Sequence, residues 1–401
     1  MSQQSTVVPI IQGPIIQGPI IQGWCPGALK PMLSGDGYVV RIRPHSGRVA
    51  AEQMAAIAAL SETHGNGLID FSARANIQMR GVTADSHAPL IEALGALGLI
   101  DGSIAEETTR NILVTPFWQA GDGTVEIADA LAARLASGPA LPGKFGFAVD
   151  TGPQPVLSEA SSDIRLERAA DGTLVLRADG MERGTPVTPE EAADKAVALA
   201  EWFLSSGGAP QGRGRMARHL ASGAELPAEF APTLAPAPAA PDAIPGLTGA
   251  GFLAGFEFGQ ATAATIAALS RCAPAFRITP WRMVLAEGLA EVPAVDGLIA
   301  DPAEPLLNVH ACTGAPGCPQ ALAPTRDLAR ALAPQLPKGA RLHVSACTKG
   351  CSHPSPCAYT LVATDDGFAL VRDGTASDVP VATGLDPVTL LADPAGLFGL
   401  Q

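Results

Sequence analysis

Four cysteines constrain this chain more than any other feature. Cys312 and Cys318 are separated by five residues, Cys347 and Cys351 by three, and the two pairs are close enough in sequence to meet in one small fold. Four thiolates hold either Zn2+ or an iron–sulfur cluster. Structural zinc usually takes pairs two to four residues apart, whereas a cubane, wider than one ion, accommodates the longer loop. The spacing favours a [4Fe–4S] cluster, with zinc and plain buried cysteines as the competing readings. Gly314, Pro316, Gly317 and Gly350 punctuate both loops and allow backbone N–H groups to turn toward the sulfurs.

Seven cysteines in 401 residues are too few for a disulfide framework, so a reduced, metal-binding, cytoplasmic protein is expected. No apolar run reaches the roughly 20 residues that span a bilayer, and the N-terminal stretch lacks the basic start and apolar core of a secretory signal. A formal net charge of −13 argues against nucleic-acid binding, which needs an excess of Lys and Arg. Any anionic ligand must therefore meet a locally basic pocket.

Three PIIQG units over 9–23 carry a proline and a glycine each, which predicts an extended arm over 1–23. A strand, helix, strand order follows: 35–49, 50–65, then 68–82 as a single second strand. A weaker echo of that order recurs at 249–259, 261–273 and 275–288. Both copies end with an arginine soon after a hydroxyl residue, Ser72 with Arg74 and Thr279 with Arg282, so an internal duplication is expected. Between the copies, strand candidates at 109–117, 143–150 and 173–177 alternate with helices at 124–137 and 189–208, a mixed α/β pattern. The resulting divisions are 24–100 and 247–303 as related halves, 101–230 as a mixed α/β domain, 231–246 as a Pro/Ala linker and 304–401 as the cysteine-bearing α/β domain.

The paired cysteines, the RxR strand at 41–43, the SxRxNxQ strand at 72–78, TRN at 109–111 and LPGKF at 141–145 together resemble the siroheme-dependent nitrite and sulfite reductase superfamily. That resemblance covers roughly residues 24–360. It implies an α+β, α/β fold: two pseudo-symmetric ferredoxin-like halves forming one domain, plus two mixed α/β domains. Within the superfamily, WCPGALKPMLSGDG at 24–37, LPGKFGFAVDTG at 141–152 and the CxxGCxHP ending at 347–354 are similar to the precorrin-3B synthase family. That branch implies a monooxygenase of aerobic cobalamin synthesis. It would add one oxygen atom from O2 to precorrin-3A and close a γ-lactone, with an external electron donor.

By position, the resemblance gives the carboxylate-binding duties to Arg41, Arg74 with Gln78, Arg110 with Asn111, and Lys144, with Arg282 as a candidate from the second copy. Arginine suits the task because its planar fork grips a carboxylate with two hydrogen bonds and stays charged. Residues 35–82 hold five arginines against four carboxylates, a local positive excess in an acidic chain. Solvated surface pairs are the plainer reading of any one of them. A siroheme-dependent nitrite or sulfite reductase is the alternative function, and a non-enzymatic tetrapyrrole-binding or electron-carrying module is the third. Two departures count against the reductases: Gly146 stands where they carry a second lysine, and Lys349 where they commonly place asparagine.

The branch also implies a mononuclear non-haem iron. His45, His310, His343 and His353 adjoin the motifs, although structural histidines are the expectation for each, since no local ligand pattern surrounds them. Cys25, Cys272 and Cys357 fall outside the four-cysteine set and read as structural. Trp281, Phe145 and Phe147 read as core aromatics rather than as a tetrapyrrole face. The glycine-rich stretch 249–259 lacks GxGxxG spacing and carries no nucleotide site.

Overall fold

The computed structural model describes residues 26–399, so the PIIQG arm and Cys25 lie outside the described residues. The chain opens with β1 (Met32–Ser34), β2 (Gly37–Ile42), β3 (Arg48–Ala50), α1 (Ala51–His64), β4 (Leu68–Phe71) and β5 (Ile77–Val82). Met54, Ile57, Ala58 and Ser61 form the buried stripe of α1, the spacing of a helix with one face on a core. The continuous strand expected over 68–82 is two strands. Ser72 Oγ accepts the N–H groups of Arg74 and Asn76, and Ala75 takes a left-handed conformation at φ 50, which folds the segment back on itself.

After α2 (Ala84–Ala96) and α3 (Ile104–Thr109), a second unit contains β6 (Ile112–Val114), α4 (Thr124–Ala136), β7 (Phe147–Asp150), β8 (Ile164–Arg168), β9 (Leu174–Ala178), β10 (Thr185–Pro186), α5 (Pro189–Ser205) and α6 (Met216–Ala221). Its sheet runs β10-β9-β8-β7-β6, with β6, β7 and β8 parallel. Thr188 caps α5 and Glu191 caps back onto it, a reciprocal box that fixes where the helix starts. The Pro/Ala stretch 231–246 is pinned along this unit. Leu234 bridges Gly184, Ala237 N–H donates to the Arg168 carbonyl and Ala240 N–H to the Pro155 carbonyl.

The first pattern then repeats as β11 (Gly246–Thr248), β12 (Gly251–Gly255), β13 (Gln260–Thr262), α7 (Ala263–Leu269), β14 (Ala275–Ile278) and β15 (Met283–Glu287). The 275–288 stretch also divides in two, for the same reason as its counterpart. The sheets run β1-β2-β5-β4-β13 and β11-β12-β15-β14-β3. Each copy lends its third strand to the other: β3 pairs β14, and β13 pairs β4. Neither half closes its sheet alone, and one core holds Met54 and Ile57 of α1 with Ile266 and Leu269 of α7.

The last unit consists of β16 (Val309–Ala311), α8 (Arg326–Leu332), β17 (Leu342–Ser345), β18 (Cys357–Thr364), β19 (Gly367–Gly374), β20 (Ala382–Leu385), α9 (Pro387–Ala392) and α10 (Pro394–Phe398). β16, β17 and β18 are parallel, whereas β18, β19 and β20 are antiparallel. Parallel pairing aligns the carboxyl ends of β16 and β17, from which the two cysteine loops leave. No helix among the described residues is long and apolar enough to cross a membrane.

Candidate functional site

Cys312 follows β16 directly, and Cys347 lies two residues past the end of β17. Ala346 N–H donates to Cys312 Sγ at 3.2 Å, while Thr325 Oγ1 donates to the Cys312 carbonyl at 2.7 Å. Burial pushes the Cys347 thiol up, although the Lys349 backbone N–H hydrogen bonds to that sulfur and works the other way. Burial also raises the Cys351 thiol. There the Lys349 charge opposes the shift, while Cys347, Cys312 and Cys318 add to it. All four sulfurs are thus within electrostatic reach of one another, and a cationic centre is what would relieve four crowded thiolates. The donor set fits an iron–sulfur cluster. Among the described residues, no three His, Cys, Asp or Glu side chains are grouped as ligands of one ion.

Each half holds one cysteine loop. Ser34 Oγ at 2.6 Å, Gly35 N–H at 3.2 Å and Arg80 Nη2 at 3.2 Å all donate to the carbonyl of Gly317, next to Cys318. Gly35 is needed for this approach, because a Cβ there would come within 2.2 Å of the Pro316 carbonyl oxygen. From the second half, Arg282 Nη2 donates to the Ser352 carbonyl at 2.7 Å, next to Cys351. Arg80 itself pairs Asp36 at 2.8 Å and Asp70 at 3.3 Å.

The expected carboxylate-binding residues are distributed over four neighbourhoods, of which that of Arg282 is the Cys351 loop. Arg41 donates through Nε and Nη2 to Gln78 Oε1, at 3.2 and 2.6 Å, across the β2–β5 pair. Arg74 reaches the Lys144 carbonyl and Ser161 Oγ, both at 3.3 Å, which brings the 72–78 turn against the 141–145 segment; the Lys144 side chain is exposed. Arg215, which the motifs did not single out, donates to the same Ser161 Oγ at 3.1 Å and pairs the buried Asp163 at 2.8 Å. Three arginines within 213–218 were the available sign of it.

Arg110 faces elsewhere. Its fork is filled by Asp101, at 2.6 and 2.9 Å, and it also donates to the Arg43 carbonyl at 2.8 Å. Asn111 turns inward, donating to the Phe145 carbonyl at 2.8 Å. A Cβ at Gly146 would lie 2.6 Å from Asn111 Nδ2, so the Asn111 amide occupies the room that a side chain at 146 would need. Phe145 and Phe147 are fully buried in the second unit's core. Arg110 lines a cavity of about 580 Å³ with His45, Asp101, Glu106 and Asp129. Burial, then the neighbouring Arg110 charge, holds the His45 imidazole below its usual range.

The other three histidines converge. His310 and His343 are register partners on β16 and β17. His310 stacks on His353 with centroids 4.2 Å apart, and His343 stands edge-on to His353 at 6.0 Å. Both ring nitrogens of His343 are buried without a hydrogen-bond partner. Burial, then the neighbouring imidazoles and Arg282, drives His310 down to about 2 and His343 to about 4, so both rings are neutral near pH 7. His310 and His353 lie face to face, and no carboxylate joins the three rings around one ion among the described residues, so the trio as folded does not fit a two-histidine, one-carboxylate iron site.

Residues 30–97 match the nitrite/sulfite reductase ferredoxin-like half domain. The solved structure of the NirA protein of Mycobacterium tuberculosis superposes with a TM-score of 0.60 at 16% identity, covering 83% of this chain and 74% of that one. Swapped half-domains beside a four-cysteine unit therefore define a nitrite/sulfite reductase-like fold. Within that class, a precorrin-3B synthase from a Sinorhizobium species is 30% identical over 90% of this chain and 84% of its own length. The chain belongs to the precorrin-3B synthase family.

Proposed function

We propose that the protein is an oxidoreductase of aerobic cobalamin synthesis that converts precorrin-3A to precorrin-3B. One atom of O2 would enter at the meso carbon between rings A and D, the ring A acetate would close to a γ-lactone, and the other atom would leave as water. Two electrons from an external donor and two protons complete the balance. The similarity to a precorrin-3B synthase over 90% of the chain carries this reading. A [4Fe–4S] cluster on Cys312, Cys318, Cys347 and Cys351 would supply one-electron transfer.

The chain's own residues do the binding. Arg41 with Gln78 and Arg74 from the first half, and Lys144 from the second unit, would present cations to the substrate's acetate and propionate arms. Arg282 reaches the Cys351 loop from the second half, so it would meet a substrate only beside that loop. Arg110 holds Asp101 and the Arg43 carbonyl through Nε and Nη2, and Asn111 holds the Phe145 carbonyl, so both contribute through the fold, with Arg110 also lining the His45 cavity. No step is assigned to a mononuclear iron.

A siroheme-dependent nitrite or sulfite reductase is the second reading, favoured by the match of residues 30–97 to the nitrite/sulfite reductase ferredoxin-like half domain. The crowding of Gly146 by Asn111 weighs against it, because the second anion-gripping lysine has no room there. Protein purified without air is analysed for iron, sulfide and macrocycle, then given precorrin-3A, reductant and air. A product heavier by one oxygen atom is expected; a resident macrocycle without that product would make the reductase the better reading.

A further inference from the structure

A chain of charges, of which only Arg282 is also a candidate substrate residue, links both halves to the cysteine unit. Asp70 on β4 is its hub. It pairs Arg80 of β5 at 3.3 Å and accepts from Gln260 Nε2 at 2.7 Å, its direct register partner on the exchanged strand β13. Arg326, the first residue of α8, donates to Gln260 Oε1 and stands 4.0 Å from Asp70. Burial, and then the Arg326 charge, hold the Arg282 guanidinium below its ordinary range while Asp70 opposes them, and the group stays charged. Asp36 completes the set with its bond to Arg80.

Three features aim this chain at the thiols. Arg80 holds the carbonyl beside Cys318, Arg282 holds the carbonyl beside Cys351, and Arg326 interacts electrostatically with Cys312. Three arginines face two carboxylates here. Farther out, Arg330 is shared by Glu257 at 2.6 Å and Asp327 at 2.7 Å; the carboxylate this leaves over is at the rim, where Asp327 is 89% exposed and screened by solvent. Burial leaves the excess positive charge poorly screened: Arg80 and Asp70 are 5% and 9% exposed.

We propose that Arg80, Arg282 and Arg326, balanced only in part by Asp36 and Asp70, form a fixed cationic surround that raises the reduction potential of a cluster held by Cys312, Cys318, Cys347 and Cys351. This rests on the cluster reading given above. Four thiolates bring an oxidised [4Fe–4S] centre to a net charge of about −2, and one electron from an external donor takes it to about −3. A nearby positive charge stabilises the reduced form more than the oxidised one. In this role the arginines are positioning residues: Arg80 and Arg282 act through the loop carbonyls they hold, and Arg326 through its charge.

Redox titration followed by electron paramagnetic resonance, on the anaerobically purified full chain with dithionite as reductant, tests this. Arg326→Gln is expected to make reduction about tenfold harder, a fall of about 59 mV for one electron. Asp70→Asn, in the same network, is expected to move the potential up by a similar amount, and Arg326→Lys to keep the parent value. Iron and sulfide per chain stay at the parent level. A cluster whose potential is unchanged in both variants, or moves the same way in both, overturns the charge inference and leaves the cluster standing. A parent protein with no cluster signal overturns both. Should Arg326→Gln fail to assemble, the sign of the Asp70→Asn shift decides.

Discussion

Ala75 and Arg282 occupy the same place in the two halves. Each is the left-handed residue of its turn, at φ 50 and 62, three positions after the hydroxyl residue that opens it. Ser72 N–H donates to the Asn76 carbonyl at 2.9 Å and Thr279 N–H to the Met283 carbonyl at 3.2 Å, so the two turns coincide. One copy keeps a buried methyl at this point; the other sends a guanidinium to the Cys351 loop.

This equivalence makes the first prediction. A left-handed alanine costs on the order of 1 kcal/mol, part of which glycine recovers after its own entropic penalty. Ala75→Gly also loses a buried methyl, at about 0.8 kcal/mol, so it is expected to leave stability within about 1 kcal/mol of the parent in urea titration. Arg282→Gly relieves the same conformation yet removes the bond to Ser352, so a net loss of stability is expected there. Equal effects at both positions would show that Arg282 contributes nothing beyond its backbone.

The duplication was legible because hydrophobic periodicity survives in both copies; its register was not. Pairing a hydroxyl residue with the next arginine matches Arg74 to Arg282, whereas the turns match Ala75 to Arg282 and Arg74 to Trp281. Spacing along a chain carries no information about which residue of a tight turn is left-handed. Strand exchange was hidden for a related reason: β3 and β13 have three residues each, and nothing local tells such a strand which sheet it joins. The four cysteines were legible because their spacing is itself the constraint. Arg215, Arg80 and Arg326 were not, since their roles come from partners distant in sequence.

Arg110 offers a test of fold against binding. Its pair with Asp101 leaves the two side chains 11% and 8% exposed, and removing one partner of a buried pair typically costs about 3–5 kcal/mol. Arg110→Ala is expected to lower the thermal midpoint of the protein without any ligand present. A variant as stable as the parent would return Arg110 to the list of residues free to serve a substrate.

Gly146 and Asn111 should behave as a coupled pair. Gly146→Ala places a methyl 2.6 Å from Asn111 Nδ2, and overpacking of this kind costs about 1–3 kcal/mol. Adding Asn111→Ala frees the space, so the double variant is expected to lose less than the sum of the two single losses. Strict additivity in a double-mutant cycle of denaturation free energies would mean that the crowding relaxes elsewhere.

Cluster and substrate functions should separate. Cys351→Ser is expected to lose iron and sulfide in chemical analysis while the rest of the chain still folds by circular dichroism. Arg74→Ala should keep the metal and weaken tetrapyrrole binding by about tenfold or more, since charge-assisted hydrogen bonds contribute about 1.5–3 kcal/mol. Loss of both properties in either variant would indicate unfolding rather than separate sites.

Asp150 predicts a pH dependence. This carboxyl is 1% exposed, and burial raises it from 3.8 to about 6 even though the N–H groups of Val156 and Leu157 donate to it at 2.7 Å. Between pH 4 and 6 the folded protein therefore holds a proton there that the unfolded chain releases. Stability contributed by this group falls as pH rises through that window, by up to about 3 kcal/mol at complete ionisation. Asp150→Asn keeps an oxygen for both N–H groups and has no charge to bury. Its unfolding free energy is expected to change less than the parent's between pH 4 and 7, with the two proteins closest at the acid end. Parallel stability curves over that range would place Asp150 in its ionised form throughout, and would require a compensating donor beyond Val156, Leu157 and the neighbouring Thr115 hydroxyl.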